Sequence, residues 1–70
     1  MGPIKGYREL TQAEIEAVNA VKGLAVTVGN VIDELRKNPN LDQRWVSIGT
    51  THLQQGFMAV IRGITRPTTF

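Results

Sequence analysis

Val18, Val21, Ala25, Val28, Ile32 and Leu35 recur at alternating steps of three and four residues. That spacing is the seam of a packed helix. Leu24 and Val31 widen the stripe on one side, and Ile15 and Val26 widen it on the other. A start signal stands just ahead of it. Thr11-Gln12-Ala13-Glu14 is a capping box, in which the threonine hydroxyl accepts from the Glu14 amide and the glutamate reaches back to the Thr11 amide. Leu10 and Ile15 are placed to form the hydrophobic staple. The pattern predicts a first helix over 11–37. Gly23 and Gly29 interrupt it at about 1 kcal/mol each, which predicts close packing or a bend there. A strand across Leu24 to Val28 is the competing assignment, and the three-four spacing argues against it.

"KNPN" at 37–40 is a break, because Pro39 disfavours helix at Asn38. Asn40 is the expected cap of a second helix over 41–65, with Gln43 at the capping-box position and Asp42 favourable in the first turn. Arg66-Pro67 ends that helix. The second helix is apolar on two overlapping faces. Leu41, Trp45, Ile48 and His52 share one, and Val46, Leu53, Phe57, Val60 and Ile64 lie about 120° further round. One face can cover the first helix, and the other calls for another subunit. Gly49, Gly56 and Gly63 recur every seven residues between the apolar and polar sectors, where they can admit a closely approaching helix. Arg44, Thr51, Gln55 and Arg62 line the polar side, as a solvated face or as a wall for phosphate.

The fold class that follows is all-α: a hairpin of two long helices in one domain of 70 residues. An extended arm (1–10) precedes it and a short tail (66–70) follows. So short a chain buries little core alone and usually needs disulfides, a metal or a partner. It has no cysteine and a single histidine, so neither a disulfide nor a metal centre is expected, and homo-oligomerisation is the remaining route. The net charge is +2, with eight basic and six acidic residues interleaved. Binders of long nucleic acid show a clustered basic face, and this balance fits a small anionic ligand better. The N-terminus lacks the apolar run of a signal peptide. By this reading no stretch approaches the roughly 18 apolar residues of a membrane span. A soluble cytoplasmic protein is the expectation.

Two residues stand out. Lys22 falls inside the apolar stripe, between Ile15 and Val18 on one side and Val26 and Gly29 on the other. It either snorkels to water or meets an anion at a subunit boundary. Tyr7, between Gly6 and Arg8 on the arm, either packs over the first turn or stacks on a planar ligand. A ring for a base and a cation for a phosphate are the ingredients of nucleotide capture. Asn19, one turn before Lys22, is a base-reading amide or a polar boundary residue. His52 reads as a packed histidine. No catalytic constellation can be assembled around it and there is no phosphate-binding loop after a strand, so no enzyme and no cofactor are expected.

"GYREL" before a capped helix, "NAVKG" within it and "RWVSIGTTHLQQGFMAVIRGITRPTTF" at the C-terminus resemble the small phage anti-CBASS sponge proteins over roughly residues 6 to 70. The resemblance implies compact homohexamers built from two interlocked trimers. It implies that they hold cyclic dinucleotides, the signals of bacterial CBASS immunity, between protomers in the host cytoplasm. The tyrosine and lysine that contact the dinucleotide match Tyr7 and Lys22, and a pocket-lining proline matches Pro67. A second pocket, for cyclic trinucleotides, uses a late arginine, with Arg62 the nearer match and Arg66 its rival. It also uses a threonine soon after the lysine, where this chain has Gly23 and Leu24, with Thr27 later. Two other readings remain beside the sponge. One is a helical interaction module acting on a host protein. The other is a weak nucleic-acid binder using the Arg44–Arg62 stripe.

Overall fold

The computed structural model describes residues 8–68. Two antiparallel helices form a hairpin, α1 (Gln12–Arg36) and α2 (Gln43–Thr65), and no strand occurs among the described residues. The Leu24–Val28 strand alternative is therefore not realised.

α1 starts as its sequence directs. Glu14 N donates to Thr11 Oγ1 at 3.2 Å, and Thr11 N donates to Glu14 Oε1 at 2.8 Å, closing the capping box. The helix ends at Arg36, with Lys37 as its C-cap. The cap of α2 differs from expectation. It is Asp42, not Asn40: the Asp42 carboxylate accepts from Arg44 N at 3.1 Å and Trp45 N at 3.3 Å, so α2 opens at Gln43 rather than Leu41. The amide of Asn40 is already engaged by Asn38 Oδ1 at 3.0 Å. Gln43 spans the turn instead of boxing Asn40, donating to Leu35 O at 3.0 Å and Asn38 O at 2.9 Å. Those carbonyls belong to the end of α1 and the turn, and they also accept from the Asn38 and Leu41 amides, each at 3.2 Å. One side chain of α2 is thereby tied to the end of α1 and to the turn.

The helices meet along the expected seam of α1, and on α2 along a face shifted from the expected one, since Leu53 and Val60 are exposed while Thr50 and Ile61 are half-buried. Val18, Val21, Ala25, Val28 and Ile32 of α1 are half-buried, as are Val46, Thr50, Phe57, Ile61 and Ile64 of α2. Leu35 departs from the seam and is exposed. Among the described residues none is fully buried. Trp45 is 60% exposed and Met58 67%, with Leu24, Val26, Val31 and Val60 each more than half exposed. The chain exposes 5669 Å², where a compact monomer of 7.7 kDa exposes about 4,300 Å². Its radius of gyration is 15.6 Å, against about 11 Å for a compact domain of this length.

The glycines add to this picture. A Cβ built at Gly23, Gly29, Gly49, Gly56 or Gly63 meets nothing within 4 Å, so no close approach inside the chain explains them. α1 is also long and apolar enough to cross a membrane by length and composition, contrary to the sequence expectation. One side of it is committed to α2.

Candidate ligand-binding surface

The end of the hairpin where α1 begins and α2 stops holds a network of charged side chains. Glu14 is its centre. Oε1 accepts from Arg8 Nη1 at 2.9 Å and Oε2 accepts from Arg8 Nη2, the fork-on-fork geometry of guanidinium and carboxylate. Arg66 Nη2 reaches Glu14 Oε2 from the far end of the chain at 3.4 Å. Arg8 Nη2 also donates to Ile64 O at 3.3 Å, in the last turn of α2. The side chains of Glu14 and Arg8 retain only 18% and 26% of their exposure. The Arg8 hydrogen bond, followed by the Thr11 backbone amide, holds the Glu14 carboxyl well below the usual carboxylate range, and the same pairing raises the Arg8 guanidinium. Arg8 Nε is enclosed and has no acceptor among the described residues.

Arg66 sits at φ 45, in the left-handed region, as the C-cap of α2, and its amide donates to Arg62 O at 2.8 Å. Glycine usually occupies such a position, because a Cβ costs about 1–2 kcal/mol there. The bend turns the chain into Pro67.

Two open grooves flank the hairpin. The larger, about 510 Å³, runs between the helices past Ala25, Val28, Ile32, Phe57 and Met58. The smaller, about 480 Å³, lies on the outer side of α2 and brings together Arg62, Thr65 and Pro67 with Gln55, Met58 and Ile61. Arg62 and Pro67, assigned to different ligands by the sequence resemblance, thus share one groove.

Lys22 and Asn19 line neither groove. Both are exposed on α1, three residues apart and so on neighbouring positions of one face. Lys22 stands between Ile15, 40% exposed, and Val26, 65% exposed. The Thr27 hydroxyl donates to Gly23 O at 3.3 Å. Tyr7 and Gly6 lie outside the described residues. His52 is exposed rather than packed. Of the polar stripe on α2, the Arg44 guanidinium lies 5.8 Å from the centre of the Trp45 ring.

A family model described as Acb2/Tad1, hairpin domain, matches residues 2–65. The chain belongs to the Acb2/Tad1 hairpin family. This is the family of anti-CBASS cyclic-oligonucleotide sponges, proteins that bind their ligand rather than transform it. The hairpin-family match takes in Gly6, Tyr7, Asn19, Lys22 and Arg62, and it stops immediately before Arg66 and Pro67. No curated protein sequence matches the chain.

The charged network is the part of this surface that reading the sequence missed. Glu14 was assigned to the capping box alone, and Arg8 was treated only as a neighbour of Tyr7. The signal was present in the run Arg8 to Glu14, an arginine on the arm and the acid of the first turn. What the sequence could not supply was Arg66, brought in from 52 residues away.

Proposed function

We propose that this chain is the subunit of a phage-type sponge that captures cyclic dinucleotides between copies of itself and releases them chemically intact. The observation that carries the reading is Lys22. Its ammonium stands on an apolar flank of α1 that the hairpin leaves uncovered. A second copy laid over Ile15 and Val26 brings a partner surface, and with it a ligand, against that cation.

The physical chemistry fits. A cyclic dinucleotide has two bases, two phosphates and near two-fold symmetry. A two-fold interface offers it each contact twice. Tyr7 stacks on a base, worth about 1–3 kcal/mol. Lys22 makes charge-assisted contacts to phosphate, worth about 1.5–3 kcal/mol before desolvation. Asn19 reads a base edge, and Gly6 and Pro67 border the site. An oligomer formed beforehand has already met much of the ordering cost of binding. The hexamer implied by the family resemblance is the assembly proposed, acting in the bacterial cytoplasm. The excess surface supports assembly, since it exceeds the roughly 800 Å² that one partner contributes to a standard interface. Arg62, in the groove with Thr65 and Pro67, is proposed as the contact for a cyclic trinucleotide.

Thermal melting with and without ligand tests the reading. Cyclic dinucleotides, cyclic GMP–AMP among them, should raise the midpoint by mass action. A response to oligonucleotides instead, falling steeply with salt, supports a nucleic-acid binder. No response to either supports a protein-interaction module.

A further inference from the structure

Three separate segments of the chain converge on one carboxylate. The arm contributes Arg8, the first turn of α1 contributes Glu14, and the exit of α2 contributes Arg66, with the Ile64 carbonyl also held by Arg8. Arg8 follows Tyr7 and Arg66 precedes Pro67, so each is one peptide unit, about 3.8 Å between Cα atoms, from a residue of the proposed site. Accepting that reading of Tyr7 and Pro67, we propose that Arg8, Glu14 and Arg66 are positioning residues, an ionic clamp that sets the arm and the tail for ligand before it arrives.

The geometry distinguishes this role from ligand contact. The Arg8 fork is occupied by Glu14 and Ile64 O, leaving no paired donors to meet a phosphate. The Glu14 oxygens are likewise taken, by Thr11 N, Arg8 and Arg66. A ring at the end of an unanchored arm must be ordered when ligand binds, and that cost is subtracted from affinity. Anchoring the next residue at two points removes part of it in advance.

The test compares the parent with Glu14→Gln, Arg8→Gln and the double variant, with Lys22→Ala as reference. Glutamine at position 14 keeps the capping box, which accepts either residue, and removes the charge. Arg8→Gln lies outside both helices, so it decides the matter if Glu14→Gln disturbs α1. Binding of a cyclic dinucleotide is measured by calorimetry, and unliganded amide exchange in the N-terminal peptide by mass spectrometry. Either single variant should weaken binding about five- to ten-fold and speed N-terminal exchange, with helix content preserved. The double variant should be no worse than the singles, because both break one clamp. Lys22→Ala weakening binding while both clamp variants bind like the parent overturns the clamp and leaves the site intact. Unchanged binding in Lys22→Ala, or none in the parent, overturns the reading of the site and the clamp with it.

Discussion

Arg8 and Glu14 form a two-pronged ion pair that ties the chain ahead of α1 onto its first turn, and Arg66 joins the same carboxylate from the exit of α2. The hairpin is thereby closed at both ends. Gln43 bridges the turn, and Glu14 bridges the open end.

This pair sets an acid limit. Because its folded pKa is depressed, Glu14 contributes stability that is complete above the ordinary glutamate value of about 4.3. The contribution is lost only as pH falls towards the lowered folded value. The melting-temperature gap between the parent and Glu14→Gln should stay constant from pH 8 to about 5 and narrow below about pH 4. Circular dichroism melts across that range check it. A gap closing between pH 7 and 5 contradicts the assignment.

The helical glycines give a sharper test of assembly. Inside a single chain a Cβ at Gly56 meets nothing within 4 Å, and replacing a helical glycine by leucine should stabilise α2 by up to about 1 kcal/mol. If a second copy lies along the Gly49, Gly56 and Gly63 edge, a leucine there collides with it. Gly56→Leu should then lower the melting midpoint and shift light scattering to smaller species. A raised midpoint with unchanged mass counts against packing on that edge.

Phe57 sits half-buried on the seam, on the helix face it shares with Ile61 and Ile64. Phe57→Asp places an unpaired charge there, at a cost of several kcal/mol, a large share of the stability of any small protein. Helical circular dichroism at 25 °C should fall sharply. Preserved helix content means the seam does not hold the hairpin together.

The fold was largely legible in the sequence because local signals agreed. The three-four seam fixed which face of α1 meets α2, and the Thr11 box fixed where α1 starts. The second cap was misread for a physical reason. Asn40 and Asp42 both have capping side chains, and it is the Asp42 carboxylate that reaches the Arg44 and Trp45 amides, while Asn40 is held in the turn by Asn38. Of the candidate site residues, Lys22 and Asn19 lie exposed on α1, Arg62 and Pro67 share a groove, and Tyr7 and Gly6 lie outside the described residues. Lys22 stood out because a cation inside an apolar stripe breaks the pattern. The clamp could not be read, because nothing local in "TRPTT" says that Arg66 adopts a left-handed conformation and returns to Glu14. His52 reads as packed because it shares an apolar face with Leu41, Trp45 and Ile48, and in the single hairpin only Leu41 and Ile48 of that face are half-buried.

Calorimetry of a cyclic dinucleotide against the parent, Tyr7→Ala, Tyr7→Phe and Lys22→Ala tests the central claim most directly. The account predicts saturation at about one ligand per two chains, as a two-fold site requires. Tyr7→Ala should cost about 1–3 kcal/mol per stacked base, and Tyr7→Phe much less. Lys22→Ala should lose binding while the oligomer keeps its mass, since the substitution removes only an exposed ammonium. Parent-like binding by both Tyr7→Ala and Lys22→Ala, with the oligomer intact, contradicts the account.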